Sequence, residues 1–418
     1  MEASAGSALI GSDAAVLGLL AAILGFVFWS SSRERGPWAK LYALVPAILP
    51  CYLLPALANS VGLIDGAHSG LYPMARDYLL PASLVLFCIS MDVGAVLRLG
   101  PKALVMFLAG TAGVMLGALV AFEAMRVIHP ETVAGETWRG MTTIAGSWIG
   151  GGANQAAMKE VFGVDATLFG QFAAADVIVA YVWMAVLLFM AARAPAFDRW
   201  LRADTRAIEE LQVRMATYQA EHARVASTTD LMMIFALAFG AVGLSHFLAD
   251  PTVAWVRAMP AEWRLRDYSL DSRFFWLVIY ATTFGVALSF TRARRLEGAG
   301  ASKVGSVLLY ILIATIGMQM DLAQLADRPL LLLLLGLIWI SVHAAVMLLV
   351  ARVIRAPLFF MAVGSQANIG GAASAPVVAT AFHPALAPVG VLLSVLGYAL
   401  GTYCAYLTGL MLRALAGA

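Results

Sequence analysis

Hydrophobic positions along this chain gather into long blocks, and the blocks set the elements. A helix that crosses the hydrocarbon core of a bilayer needs about 20 apolar residues. Segments of that kind are predicted at about 13–31, 40–60, 78–97, 102–125, 139–162, 166–192, 230–249, 274–291, 304–320, 330–351, 357–382 and 387–412. A polar stretch at 193–229 divides them six and six. Two of the blocks are interrupted. The run "GSWIGGGANQAAM", Gly146 to Met158, holds Gly150, Gly151 and Gly152 in succession. Each glycine destabilises a helix by about 1 kcal/mol relative to alanine. The run "GSQANIGGAASAP" at 364–376 carries Gly370 and Gly371, also in the fifth block of its half.

Composition agrees with a life in lipid. Of 418 residues, 61% are hydrophobic and 12% charged, against roughly 45–50% and 25% in soluble domains. Mean hydropathy is +0.84. A net charge of +2, with no basic run interleaved with aromatics, gives no footprint for nucleic acid. The first block lacks the flanks of a cleaved signal peptide and reads as a span.

Charge in the connections then decides which blocks cross, because Lys and Arg collect on the cytoplasmic side. The basic connections are 32–40, 98–102, 193–229, 292–303 and 352–355; the acidic or balanced ones are 61–77, 123–138, 250–273 and 321–328. With the N-terminus outside, connections alternate correctly through the fourth block. If the fifth block crossed, the basic stretch 193–229 would fall outside. If it dips in and turns back at its glycines, that stretch is cytoplasmic and both termini are outside.

The expected fold is an all-α polytopic membrane protein of two inverted repeats, each with about five transmembrane helices and one re-entrant, broken hairpin. That makes about ten full spans. The first repeat is 1–193 with its hairpin at 139–162; the second is 230–418 with its hairpin at 357–382. "ISMDVGAVLRLGP" (89–101) and "MQMDLAQLADRP" (318–329) reinforce the internal likeness. Inverted repeats with discontinuous helices mark secondary transporters. Between the repeats, 194–229 reads as a cytosolic amphipathic linker helix on the spacing of Ile208, Leu211, Met215, Tyr218 and Val225. It is expected to lie on the protein or membrane surface, with a dimer seam as the alternative. Trp255, Trp263 and Tyr268 suggest an interfacial element outside.

Backbone that leaves the helix at membrane depth must be covered by protein or line a wet cavity, so the two breaks are expected to meet inside. Helix starts offer free amides to an anionic or polar solute, and helix ends offer carbonyls to a cation. Ser147, Asn154 and Gln155 at the first tip, and Ser365, Gln366, Asn368 and Ser374 at the second, are the candidate solute contacts. The competing role is capping of the broken helices. Gly150, Gly151, Gly152, Gly370 and Gly371 permit the turns. Asp176, deep in the sixth block, is the candidate cation- or proton-coupling group; its approximate counterpart in the second half is Ser394.

Asp92 and Asp321 read as residues of helix ends. Lys159 and Glu160 read as near the outer interface, and His343 as a hydrogen-bonded packing residue. Cys51, Cys88 and Cys404 read as small hydrophobes, and the six histidines show no metal spacing. No phosphate-binding loop and no nucleophile elbow occurs, so neither ATP hydrolysis nor an enzyme is expected, and no cofactor.

At these residues the chain resembles the integral membrane family called domain of unknown function 819, over nearly its full length. The carriers are "GSWIGGGANQAAMKEVFG" and "GSQANIGGAASAPVVATAF". That family in turn looks related to the glutamate:sodium and citrate:sodium symporters. The resemblance implies an elevator-like mechanism in a homodimer. The expectation is a bacterial inner-membrane secondary transporter, coupled to sodium or protons. Its solute would be small and polar or anionic: a carboxylate, an amino acid or a peptide-like compound. A channel or passive facilitator is the alternative.

Overall fold

The computed structural model describes residues 9–33, 35–42, 45, 47–203, 208, 225–263, 265–268, 270–320, 329–383 and 386–418. Among them the regular structure is helical, apart from one isolated bridge between Ile10 and Ile64. In chain order the principal helices begin with α1 (Asp13–Ser31), α2 (Ile48–Ser60), α3 (Leu80–Ile89), α4 (Pro101–Ile128), α5 (Thr137–Val161), α6 (Ala166–Ala191) and α7 (Ala194–Leu201). They continue with α8 (Thr228–Arg257), α9 (Arg273–Ser289), α10 (Ala301–Gly317), α11 (Pro329–Ile354), α12 (Leu358–Ile369), α13 (Gly371–Thr380) and α14 (Ala387–Ala416).

Six of them, α1, α4, α6, α8, α11 and α14, are long and apolar enough to cross a membrane. Helices α2, α10 and α12 are apolar but shorter, and α9 is followed by Arg292–Ala299 at 94°. Starts are set by side chains that take up orphan amides. Ser12 caps α1, Asp165 caps α6, Ser272 caps α9, and Ser227 with Asp230 forms a capping box on α8.

Two boundaries differ from the pattern. The segment at 78–97 stops at Ile89 and resumes as Val93–Arg98; at the stop, Ser90 Oγ turns to Leu86 O and Glu297 (2.9 and 2.6 Å). Helix α8 outruns 249 to reach Arg257. Pro251 lacks the N–H that would bond the preceding turn, yet the Thr252 hydroxyl donates to Leu248 O (2.7 Å) and the helix continues. Asp321 and most of the expected linker helix lie outside the described residues. What is described there is α7, with Leu201 buried and Asp198 accepting the Leu358 N–H at 2.7 Å, which caps α12.

The helices sort into two layers. One holds α4, α5, α6 and α11–α14, with α5 on α14, α4 on α11, and α12 and α13 on α4 and α14. The other joins α3 to α9 and α10, and α8 to α9, around its own small core of Ala82, Val85, Ile234, Ala238 and Ala281. Connections gather at two ends. At the first, Ser69 donates to Asp13 (2.7 Å), Lys159 to Tyr72 (2.5 Å), and His246 Nε2 meets Asp77 O (2.8 Å). At the second, Lys102 donates to Arg355 O (3.1 Å) and Asp198 caps α12.

Candidate functional site

Helix α5 is two arms. Gly151, at φ 74° and ψ −177°, occupies a region that essentially glycine alone adopts. Past it the chain doubles back. A Cβ on Gly146 would lie 2.6 Å from the Asn154 carbonyl oxygen, whereas positions this far apart in a straight helix are about 12 Å distant. The open ends of the arms are stitched together. Arg139 Nη1 donates to Phe162 O at 2.8 Å, and the Trp138 and Phe162 rings meet edge-on at 5.8 Å. Helices α12 and α13 repeat the plan around Gly371 (φ 61°). Gln366 Nε2 reaches across to Ser374 Oγ (2.7 Å), and Phe359 meets Phe382 at 5.4 Å where the arms open. The first hairpin opens at the end where Lys159 meets Tyr72, the second at the end where Asp198 caps α12. They are entered from opposite ends of the molecule.

A buried asparagine clamps each hairpin to a long helix. Asn154 Nδ2 donates to Gly150 O (2.9 Å) and Tyr398 O (3.0 Å), while Oδ1 accepts from Thr402 (2.6 Å). Asn368 Nδ2 donates to Gly364 O (2.9 Å) and Phe107 O (3.0 Å), while Oδ1 accepts from Thr111 (2.8 Å). The pattern is the same twice: the carbonyl four residues back, a carbonyl of the neighbouring helix, and the threonine four residues beyond it. Both amide donors are spent inside the protein at each site, so these carboxamides hold the hairpins in place.

Asp176 sits against the first hairpin, 4% exposed. Its Oδ1 accepts from Trp148 Nε1 (2.5 Å) and its Oδ2 from Gln155 Nε2 (2.9 Å), with Ser147 a further donor. Ser147 and Trp148 come from one arm and Gln155 from the other, so this carboxylate ties the arms together. At the second hairpin the equivalent depth is neutral. Ser365 Oγ accepts from Trp183 Nε1 (2.8 Å) and faces His343 Nε2 (2.8 Å), whose Nδ1 faces Gly110 O (3.0 Å). A neutral imidazole protonated on Nδ1 satisfies all three groups. Gln366, 1% exposed, keeps its Oε1 without a partner.

The tips converge on Tyr398 of α14. A Cβ on Gly151 would lie 3.2 Å from its ring, and one on Gly371 would lie 3.9 Å from its hydroxyl. That hydroxyl engages the Ala372 backbone, and the ring stacks on Phe87 of α3 at 4.5 Å. Gly152, Gly370 and Ser374 are partly open at the tips, while Gly150 packs against Gly401 of α14. The structure thus brings Gly151 and Gly371 to one side chain. It sends Asn154, Asn368 and Ser365 to packing networks, and leaves Gln366 and Ser374 at the second tip. Lys159 and Glu160 (2.8 Å apart) stand at the open end of the first hairpin, Tyr72 bridging them, and Asp92 lies 3.4 Å from Arg294 at the other end. Tyr398, Trp148, Trp183, Thr111 and Thr402 were not singled out by the pattern. Among the described residues no group of His, Cys, Asp and Glu could hold a metal ion.

Apolar helices around paired broken helices define an integral membrane protein in contact with the lipid bilayer. The chain belongs to the family described as "Protein of unknown function (DUF819)", whose model matches residues 18–415. It is similar to the "Uncharacterized membrane protein YjcL" of Bacillus subtilis (strain 168), with 26% identity over 383 residues, covering 89% of this chain and 90% of that protein.

Proposed function

We propose that the protein is a secondary active transporter of a small polar or anionic organic solute (a carboxylate, an amino acid or a peptide-like compound), coupled to sodium or protons. In this reading the chain makes about ten full spans in two inverted repeats, with both hairpins re-entrant. It sits in a bacterial inner membrane, termini outside and 194–229 cytoplasmic, as a homodimer. The layer with both hairpins is the moving body and the α3–α8–α9–α10 layer is the support, as an elevator requires. The observation that carries the reading is the pair of hairpins, opened at opposite ends and meeting at Tyr398. Such a meeting point offers free backbone to a solute at mid-depth, reachable from either side in turn. The solute would contact Gln366, Ser374, Tyr398 and the amides that open α13. The ion would act at Asp176.

Counterflow in proteoliposomes tests this, across a panel of carboxylates, amino acids and short peptides under imposed sodium or proton gradients. Accelerated exchange of one solute class, driven uphill by one of the two gradients, is expected. Resolved single-channel conductance would replace the transporter with a channel.

A further inference from the structure

We propose that the ion taken up and released at Asp176 is a proton, and that the site excludes sodium. This rests on the transporter reading above and fixes the coupling ion which that reading leaves open. The argument is the chemistry of the carboxylate's neighbours. Sodium is held by oxygen ligands, as where unwound backbone carbonyls coordinate it in transporters. Asp176 is wrapped instead in hydrogen-bond donors. The indole N–H of Trp148 is a donor only and occupies Oδ1 at 2.5 Å, with no lone pair to give a cation. The carboxamide N–H of Gln155 occupies Oδ2 at 2.9 Å, and Ser147 donates as well. With the Gln155 N–H on Oδ2 a cation would meet hydrogens at both oxygens, and turning the carboxamide over frees one oxygen ligand, Oε1, while the Trp148 N–H stays on Oδ1.

A proton fits the same shell with one local change. It bonds to Oδ2, and the Gln155 carboxamide turns over so that Oε1 accepts the new O–H where Nε2 had donated. Trp148 keeps its bond to Oδ1. Because Gln155 stands on one arm and Trp148 on the other, the turnover alters the tie between the arms at the tip. Gly151 and Gly152 are partly exposed at that tip.

No charged group competes for the role. Helix α2 presents Tyr52 and Cys51, and α10 presents Tyr310. On α11, His343 is held between Gly110 and Ser365. Helices α12 and α13 contain no titratable residue. Lys159 pairs with Glu160 at the open end of the hairpin, and Asp198 of α7 caps α12 at the other end of the molecule.

The test needs no solute. The protein in phosphatidylcholine nanodiscs, with aspartate labelled by carbon-13 at the side-chain carboxyl, is titrated with pH and followed by infrared difference spectroscopy in sodium chloride and in choline chloride. The expected result is an isotope-shifted protonated-carboxyl band that fades as pH rises, is lost in Asp176→Asn, and titrates identically in the two salts. Depletion of the band by sodium at constant pH would overturn the proposal, as would no such band at any pH where the protein is folded. Either result leaves the counterflow assay free to support transport, and a failed counterflow leaves the band to be read on its own. If Asp176→Asn does not fold, Asp198→Asn removes the aspartate whose carboxyl burial raises at α7, and a band that survives it still decides through the comparison of salts.

Discussion

The two hairpins share a frame and differ in chemistry. Each opens at its own end of the molecule, reverses at a glycine with positive φ, and is clamped by an asparagine to a carbonyl and a threonine of a long helix. Yet the first closes around the carboxylate of Asp176, and the second around the neutral trio of Ser365, Trp183 and His343. The asparagines stand on opposite arms, Asn154 three residues after Gly151 and Asn368 three before Gly371, so the likeness is one of bonding pattern. The carboxylate stands at one hairpin alone, while the second keeps an unpartnered carboxamide oxygen, Gln366 Oε1, near its tip. On the transporter reading proposed above, the first hairpin would serve the ion and the second the solute.

The largest effects should come from the shared frame. Asn154→Leu and Asn368→Leu each remove two donors from buried carbonyls and leave the threonine hydroxyl only its longer contact (Thr402 to Thr282 Oγ1 at 3.1 Å, Thr111 to Phe107 O at 3.4 Å), so each should lower stability by about 3 kcal/mol. Thermal unfolding in detergent checks this; a neutral effect at one site alone would break the equivalence of the clamps. Gly151→Ala comes next, at about 2 kcal/mol for a side chain forced into that region. Gly152→Ala is its control, since φ there is not positive and the nearest neighbour would lie 3.6 Å away.

The tryptophans then separate the two chemistries. Trp148→Phe removes a bond to a carboxylate and should cost about 2 kcal/mol, while Trp183→Phe removes a bond to a hydroxyl and should cost about 1 kcal/mol. Equal losses would say that Asp176 is not charged when that bond is made. The smallest effect lies at α7, which is not one of the long apolar helices. Asp198→Ala removes the cap of α12 and should cost about 1 kcal/mol, with Asp198→Asn retaining it. Burial raises the Asp198 carboxyl above its ordinary range, against the opposing Leu358 N–H. Its contribution to stability is therefore full at low pH and is lost as pH rises through the folded-state value. Asp198→Asn should lack that slope.

The glycine runs were readable because three glycines in an apolar block contradict a straight span. The reversal at Gly151 and the break at Gly371 lie within them. Charge in the connections carried the two-ended arrangement, since basic and acidic loops alternate along the chain. The site was less legible. Asn154 and Asn368 look like solute contacts in sequence, because nothing there reveals Thr402 and Thr111, which lie far along the chain and take up their oxygens. Tyr398 was hidden for the same reason: an aromatic within a span gains meaning only once two distant tips close on it. Asp176 stood out as a charge at depth, but its wrapping by Trp148 and Gln155 depends on how the arms fold.

The central claim is reversal at two breaks approached from opposite sides. Single cysteines at Ala134, Ala166, Val353 and Ala381, in a chain lacking Cys51, Cys88 and Cys404, can be probed with a membrane-impermeant thiol reagent on right-side-out and inverted vesicles. Ala134 and Ala166 should react from one side, Val353 and Ala381 from the other. Labelling that places the members of either pair on different sides would mean that its hairpin threads the membrane, and would contradict the account.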